Sequence, residues 1–207
     1  MMSTNIWQQI NQSMESTIDT LRQSVVQIVT NEGAIGAGTI WHSDGLIITN
    51  AHVILKDKQT PHDDLSVILP DDNLHTAQVI GFDVSKDLAA LAIDVKDLPT
   101  ITAGNSSNLV AGRWVMAVGH PWGVIDSLTS GVIIGIGINL PERFDDREWI
   151  ALSLKLRPGH SGGPLVDVDG HLIGINTMIA GPEVGFAIPV DVVKGFVNET
   201  VKGLEIT

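Results

Sequence analysis

The sequence predicts an all-β protein made of two six-stranded antiparallel β-barrels, with a helix at each end of the chain. Short runs rich in β-branched residues, such as SVVQIVT from Ser24, are separated by turn signals such as Asp44-Gly45 and Asp169-Gly170. The 21 glycines suit the tight turns that join short strands. Many short strands with turns at regular intervals are typical of barrels.

A polar, turn-rich stretch near the middle of the chain separates the two halves. We predict an N-terminal helical segment over residues 1–22, a first β-barrel over 23–98, a linker over 99–108, a second β-barrel over 109–189 and a C-terminal helix over 190–207.

Periodic apolar residues predict the two helices. The first helix has a stripe at steps of three or four residues, formed by Ile6, Ile10, Met14, Ile18 and Leu21. Pro189 is favourable in the first turn of the last helix, whose apolar face consists of Val190, Val193, Phe196 and Val197.

Charge and residue content exclude several classes of protein. A net charge of −12 gives no electrostatic affinity for nucleic acid or for an anionic membrane surface. The absence of cysteine excludes disulfides, a thiol nucleophile and cysteine-bound zinc. As it stands, the sequence lacks a basic start followed by an apolar run, and no stretch is long and apolar enough to span a bilayer. We therefore expect a cytoplasmic protein with no nucleic-acid partner and no membrane insertion.

The motif PGHSGGPL, residues 158–165, holds the strongest candidate for a reactive group. A serine flanked by glycines fits a tight turn that exposes its hydroxyl, and Gly159 allows backbone angles that a side chain would forbid. The amides of Gly159 and Ser161 would then point at one spot, which is the arrangement of an oxyanion hole. The alternative is a glycine-rich turn with an incidental serine.

A serine hydroxyl needs a base, and the base needs a carboxylate to orient it. His52 lies in TNAHVI, at the end of an apolar strand, and Asp87 comes directly before the apolar run LAALAI. Each is also compatible with a structural role, and Asp83 and Asp94 compete for the place of the carboxylate. The remaining histidines show no spacing typical of metal ligands, so we expect no metal site.

The order of these residues adds to the case. His52, Asp87 and Ser161 follow the sequence order of chymotrypsin-type triads. His52 and Asp87 fall in the first predicted barrel and Ser161 in the second, so a cleft between the halves would hold a substrate. An α/β-hydrolase would have the order Ser, Asp, His and alternating strands and helices, which this sequence lacks.

Several segments, in order, resemble the protease domain of the HtrA (Deg) serine proteases. They are GAGTIWHSDGLIITNAHVI, SKDLAALAI, GNSSNLVAGRWVMAVGHPWG, LTSGVIIGIG, PGHSGGPLVDVDGHLIGINT and VGFAIP. The resemblance implies the trypsin-like double β-barrel, with His52 as general base, Asp87 as its orienting partner and Ser161 as nucleophile. It places the oxyanion hole at Gly159, His160 and Ser161, and it implies no cofactor.

The resemblance also implies a substrate class and an assembly. Family members commonly cut unfolded or misfolded proteins, often after small aliphatic residues, and commonly form trimers. We therefore expect a quality-control endopeptidase that acts through an acyl-enzyme on unfolded proteins or peptides. The competing hypothesis is a resting or non-enzymatic member of the same fold, which acts as a binding or chaperone-like module.

Two features depart from the family pattern. His160 stands where the family usually has Asn, and its size and charge are a candidate influence on the oxyanion turn. Family members usually carry one or two PDZ domains after the protease domain, whereas here only a helix is predicted after Pro189. The sequence is therefore either a protease-only relative or an excised protease domain, and we predict no PDZ domain within it.

The specificity pocket is expected to be apolar. Residues just before Ser161 and the returning strand near Gly185 should line it, which selects Leu154, Leu156 and Phe186. No acidic residue stands in SLKLRPGHS, so a preference for Lys or Arg is not expected, and the orientation of Lys155 is left open. The charged loop from Pro141 to Glu148 is either a sensing loop, by resemblance, or a solvated surface loop.

Overall fold

A computed structural model describes residues 5–57, 59–121, 124, 127–137, 148–181 and 183–201 of the chain. Within these residues the chain forms thirteen strands and three helices. The N-terminal half contains α1 (Ile6–Arg22), β1 (Val25–Thr30), β2 (Gly33–His42), β3 (Leu46–Thr49), α2 (Ala51–Ile54), β4 (Ser66–Ile68), β5 (Leu74–Thr76), β6 (Gln78–Asp83) and β7 (Leu88–Ala92). The C-terminal half contains β8 (Trp114–Gly119), β9 (Ser127–Ile136), β10 (Ile150–Ser153), β11 (Pro164–Val166), β12 (Leu172–Gly181), β13 (Val184–Pro189) and α3 (Val190–Thr200). The predicted all-β class with flanking helices is confirmed.

The first half is an antiparallel sheet of seven strands in the order β5-β4-β1-β2-β3-β7-β6. Its two outer strands are separated in sequence by Ala77 alone, whose amide donates a hydrogen bond to the Leu65 carbonyl at 3.0 Å. β5 and β6 are therefore successive parts of one bent stretch, which brings the two ends of the sheet together. Taken as one strand, they give the six strands that the sequence predicts.

The second half is a closed antiparallel barrel of six strands in the order β10-β13-β12-β11-β8-β9. Alternate residues of β8 and β10 point into it because side chains of a strand alternate between its two faces. Val115, Ala117, Ile150 and Leu152 belong to its core cluster.

The two halves pack against each other through a shared hydrophobic core. One core cluster takes Ile48 and Leu88 from the first sheet and Ile175 and Ile188 from the second barrel. α3 closes the same cluster with the apolar face that its sequence predicts, contributing Val190, Val193 and Phe196. The arrangement fixes the groove between the halves, where chain segments from both meet.

The connecting segment is hydrogen-bonded to both halves. The Ile101 amide donates to the Ile40 carbonyl at 3.5 Å, while Gly104 donates to the Leu172 carbonyl and Leu172 donates to the Thr102 carbonyl. A linker held in this way keeps one barrel in register with the other.

Candidate active site

A groove of about 320 Å³ lies where the two halves meet. Ile35 and His52 line it from the first half. From the second half it is lined by Leu156, Arg157, Pro158, Gly159, His160, Ser161, Thr177 and Ile179. The groove therefore contains His52 and Ser161, which the sequence places in different barrels.

His52 and Asp87 meet at the end of a strand pair. β3 runs antiparallel to β7 with Thr49 opposite Ala89, so the residues just beyond these positions come together. His52 lies in the short helix α2, and its Nδ1 is 3.0 Å from Oδ1 and 2.9 Å from Oδ2 of Asp87. The His52 backbone amide also donates to Oδ1 at 3.0 Å.

The two other candidate carboxylates lie elsewhere. Asp83 accepts hydrogen bonds from the Ser85 hydroxyl and the Lys86 amide, so it stabilises the turn that leads to Asp87. Asp94 follows β7 and is exposed. The structure brings only Asp87, of the three, against the imidazole of His52.

Asp87 is held from its backbone as well as from its carboxylate. Its φ of 54° lies in the left-handed region, which costs a non-glycine residue about 1 kcal/mol or more. Asn50 is fully buried, and its side-chain amide donates to the Asp87 carbonyl at 3.0 Å. This bond supports the strained backbone and so fixes the direction of the carboxylate.

Asp87 stays ionised because its hydrogen bonds and its charged partner lower its pKa by more than its burial raises it. Burial by itself raises the pKa of Asp87, but hydrogen bonds and charge from His52, together with the Thr177 hydroxyl, hold this pKa below its ordinary value. A carboxylate in this state keeps the imidazole proton on Nδ1 and leaves Nε2 free to accept a proton.

Thr177 is the functional residue that the sequence does not reveal. Its hydroxyl donates to Oδ2 of Asp87 at 2.5 Å, and its backbone carbonyl accepts a hydrogen bond from the Ser161 hydroxyl at 2.8 Å. One residue of β12 thus contacts both Asp87 and Ser161. The only signal in the sequence is the polar pair Asn176-Thr177 after the apolar run LIGI, and such pairs also occur at ordinary strand ends.

The Ser161 hydroxyl points at the Thr177 carbonyl and not at His52. Within the described part of the chain, no hydrogen bond joins Ser161 to the imidazole. Ser161 and His52 line the same groove, and a serine–histidine pair requires the serine hydroxyl to leave the Thr177 carbonyl.

The segment around Ser161 forms a turn, residues 157–161, which we call the oxyanion turn. Gly159 has a φ of 102°, and a side chain there would place its Cβ 2.6 Å from the His120 carbonyl oxygen. Among the described residues, the backbone amides of Gly159 and Ser161 have no protein acceptor, whereas the His160 amide donates to the Arg157 carbonyl at 3.0 Å. Of the three residues expected at the oxyanion hole, two therefore present free donors.

Ser161 and the residues that follow it are hydrogen-bonded to both halves of the protein. The Ala37 amide donates to the Ser161 carbonyl, and the Gly162 amide donates to the Asn176 carbonyl, both at 2.9 Å. The side-chain amide of Asn176, which is fully buried, donates to the carbonyls of Gly163 and Pro164. The nucleophile candidate is thus supported by strands from both barrels.

The expected pocket residues separate into one that lines the groove and two that do not. Leu156 lines the groove and packs against Gly185, where an added Cβ would lie 2.7 Å from its Cδ1. Leu154 is buried in the core cluster of the second barrel. Phe186 is 1% exposed and contacts Trp149 edge-on with ring centroids 6.0 Å apart, so it faces the core because of the strand alternation. Lys155 is exposed.

Comparison with known proteins decides the family. Residues 36–175 match the trypsin-like peptidase domain. The chain is 41% identical over 182 residues to chloroplastic protease Do-like 1 of Arabidopsis thaliana, and 42% identical over 164 residues to a probable periplasmic DegP-like serine endoprotease of Halomonas elongata. Its fold matches that of the HtrA-type protease AlgW with a decapeptide, with a TM-score of 0.82 at 28% identity. The chain belongs to the HtrA family.

The matches cover this chain more fully than they cover the relatives. They span 83% and 77% of the chain but only 40% and 33% of the Arabidopsis and Halomonas proteins, and the AlgW match spans 91% of the chain and 67% of that structure. The HtrA chain thus corresponds to a protease domain of a longer relative. The predicted family, with its trypsin-like peptidase domain, is confirmed.

The expectation of a cytoplasmic protein is wrong. The similar HtrA proteins are named as periplasmic or chloroplastic, which are compartments outside the cytoplasm. The expectation rested on the lack of a leader-like start, but targeting segments are removed from mature proteins and leave no trace in the protease domain. Among the described residues, no helix is both long and apolar enough to cross a bilayer.

One group of possible metal ligands lies outside the groove. Asp167, Asp169 and His171 bring ligand atoms within 4.8 Å of one another in the hairpin between β11 and β12. Asp167 accepts hydrogen bonds from the amides of Asp169 and His171 and lies 3.9 Å from Arg113. These contacts account for the cluster as a hairpin stabilised by its first carboxylate. The charged loop from Pro141 to Glu148 lies, except for Glu148, outside the described residues.

Proposed function

We propose that this HtrA domain is a serine endopeptidase that cleaves peptide bonds in unfolded proteins through His52, Asp87 and Ser161. The observation that carries the proposal is the contact between the His52 Nδ1 and the Asp87 carboxylate, at 2.9 and 3.0 Å, in the groove that also contains Ser161. Two free amides beside Ser161 support it. The known class of the relatives agrees with this chemistry.

The first step forms a tetrahedral intermediate, whose collapse then gives the acyl-enzyme. The Ser161 hydroxyl leaves the Thr177 carbonyl, turns toward His52 and attacks the substrate carbonyl carbon while its proton passes to Nε2 of His52. Asp87 stabilises the resulting imidazolium. The new oxyanion accepts hydrogen bonds from the amides of Gly159 and Ser161, each worth about 3–4 kcal/mol of barrier in comparable sites.

The second step releases both products. The tetrahedral intermediate collapses, the C–N bond breaks, and His52 gives its proton to the departing amine. Water then loses a proton to His52 and attacks the Ser161 ester, and a second collapse frees the acid and returns the proton to the Ser161 oxygen. No atom outside the chain, the peptide and water is needed.

The groove favours apolar side chains of modest size. Leu156 forms its apolar wall beside Pro158, and no carboxylate lies among its lining residues in the described part of the chain. A volume of about 320 Å³ must hold both the side chain and part of the peptide backbone. Small to medium aliphatic residues before the cut bond meet these limits.

The resting form remains a second candidate because one contact favours it. The Ser161 hydroxyl is bonded to the Thr177 carbonyl, so the nucleophile is displaced from its base in this structure. A protein that kept this arrangement would bind unfolded chains without cutting them. A trimer, as the resemblance implies, would be compatible with either function.

The test is cleavage of unfolded casein by the wild type, Ser161→Ala and Ser153→Ala. Ser153 is exposed on β10 and serves as the matched serine control. We expect the wild type and Ser153→Ala to cleave, and Ser161→Ala to lose at least about a thousandfold in rate. Mass spectrometry of the products identifies the residue before each cut.

A phosphonofluoridate that labels activated serines separates the two candidates. Labelling of Ser161 with cleavage supports the proposed function. Full cleavage by Ser161→Ala contradicts the assignment of the nucleophile. If the wild type neither cleaves nor takes the label, the resting form is correct.

A further inference from the structure

His160, the residue next to the nucleophile, is deeply buried at the centre of the oxyanion turn. It is 1% exposed. Its amide donates to the Arg157 carbonyl and its carbonyl accepts from the Gly163 amide, both at 3.0 Å. The backbone on each side of Ser161 therefore depends on where His160 sits.

The imidazole of His160 binds the same turn a second time. Its Nδ1 lies 3.2 Å from the Arg157 amide nitrogen and 3.1 Å from the Arg157 carbonyl oxygen. One imidazole nitrogen thus closes the turn from within, either by accepting from the amide or by donating to the carbonyl. The turn in question carries the free amides of Gly159 and Ser161.

The other nitrogen of His160 is Nε2. It is inaccessible to solvent and has no hydrogen-bond partner among the residues that the structure describes. If Nδ1 accepts from the Arg157 amide, an added proton destroys that acceptor. If Nδ1 donates to the Arg157 carbonyl, the added proton goes to Nε2 and leaves a buried, charged N–H with no acceptor. Both outcomes are costly in a buried site.

The groups around His160 add to this cost. Burial lowers the pKa of His160 most, the backbone contact with Arg157 raises it, and electrostatic interactions with Arg157 and His120 lower it further. His120 lies at the end of β8, and its amide donates to the Gly159 carbonyl at 2.9 Å. His52 lies in the same groove. In the described part of the chain, no carboxylate is among the groups that shift the pKa of His160.

We propose that His160 is a positioning residue whose neutral imidazole holds the oxyanion turn in place, and that a proton taken up by His160 releases the turn. The inference rests on the proposed function, because a released turn matters only where Gly159 and Ser161 bind an oxyanion. The ordered turn binds fewer protons than the released turn, in which His160 has its ordinary pKa of 6.5. The ordered form is therefore fully stable above pH 6.5 and loses stability as the pH falls below it.

The first test compares the pH dependence of kcat/KM in the wild type, His160→Asn and His42→Asn. Asn accepts a hydrogen bond from the Arg157 amide but does not titrate. His42 is half-exposed at the end of β2 and serves as the matched control. Circular dichroism at about pH 8 verifies that each variant is folded.

Each profile is normalised to its own plateau. A single protonation in the active site gives an acid limb with a slope of one, whereas an additional proton at His160 steepens the limb toward two. We expect the steeper limb in the wild type and His42→Asn, and a slope of one in His160→Asn. At about pH 5 His160→Asn should keep about threefold more of its plateau activity than the wild type. Superimposable profiles for the wild type and His160→Asn overturn the proposal.

The second test needs no activity, so it decides the proposal even if the proposed function fails. Isotope-labelled Ser161→Ala protein is titrated from about pH 8 to pH 4.5 by NMR, and the signals of the His160 imidazole and the Gly159 amide are followed. We expect His160 to titrate below pH 6.5 and the Gly159 amide to shift with the same midpoint. Titration of His160 without a shift of Gly159, or no titration of His160 in this range, overturns the proposal.

Discussion

Replacing Thr177 by valine removes one hydrogen-bond donor from Asp87 while keeping the branched shape of the side chain. The Thr177 hydroxyl donates to Oδ2 of Asp87 at 2.5 Å, and the carboxylate is only 13% exposed. The backbone carbonyl that accepts from Ser161 is unchanged by the substitution. The variant therefore tests how strongly β12 supports the carboxylate, separately from its contact with the serine.

The size of the effect follows from the type of bond. A hydrogen bond to a charged group contributes about 1.5–3 kcal/mol to stability. His52 still donates twice to the carboxylate in the variant, so we expect a loss near the lower limit, about 1.5 kcal/mol at pH 7. Without the Thr177 hydrogen bond, the Asp87 carboxylate also orients His52 less well. If the transition state loses the same stabilisation, about 1.5 kcal/mol, kcat/KM falls about tenfold.

The effect on stability should depend on pH. The pKa of Asp87 is lowered in the folded protein, so its contribution is present above its ordinary pKa and is lost as the pH falls through the lowered value. The difference in unfolding free energy between Thr177→Val and the wild type should therefore narrow below about pH 4.

Urea unfolding followed by circular dichroism, from about pH 7 to about pH 3.5, measures this difference. Thr177→Ser keeps the hydroxyl and is the control, with an expected loss of no more than about 0.8 kcal/mol for its missing methyl group. Equal losses in the valine and serine variants at pH 7 would refute the reasoning, as would a loss in the valine variant that does not change with pH.

Two further predictions concern glycines. An added Cβ at Gly185 would lie 2.7 Å from Cδ1 of Leu156, so Gly185→Ala should push Leu156 into the groove. We expect kcat/KM for peptides with Leu before the cut bond to fall about tenfold relative to kcat/KM for peptides with Ala there, and Leu156→Ala to shift this ratio the opposite way. An unchanged ratio in both variants contradicts the prediction. Gly162→Ala should lower the free energy of unfolding by about 2 kcal/mol more than Gly112→Ala does. Both glycines have a positive φ, but only at Gly162 would the added Cβ collide with the backbone, 2.1 Å from the carbonyl oxygen of Ala37. Equal losses in urea unfolding would show that backbone strain alone governs both sites.

Local signals in the sequence were enough for the class of fold and for the candidate residues. Alternating apolar runs and turn dipeptides report on strands because a strand buries every second side chain and a hairpin needs special turn residues. The second barrel has the six strands expected. Motif order placed His52, Asp87 and Ser161 in two halves, and the structure brings the first two into contact and joins Asp87 and Ser161 through Thr177.

Other features are not predictable from local patterns because they depend on contacts between distant residues or on facts outside the chain. Phe186 is apolar and close in sequence to Gly185, but the direction of its side chain is set by the pairing of β13, which sends it to the core. Targeting segments direct a protein to its compartment and are removed from the mature protein, so the composition of a protease domain does not reveal the compartment.

By itself, the sequence determined the two-barrel class, the order of the candidate triad and the glycines of the oxyanion turn, since these follow from patterns among near neighbours. Only the tertiary structure decided that Thr177 bridges Asp87 and Ser161, that Asn50 supports the Asp87 backbone, and that His160 is buried with an unpaired nitrogen. The physical reason is distance along the chain: Thr177 and Asp87 are 90 residues apart. Their contact arises from the packing of one barrel on the other, which no local pattern encodes.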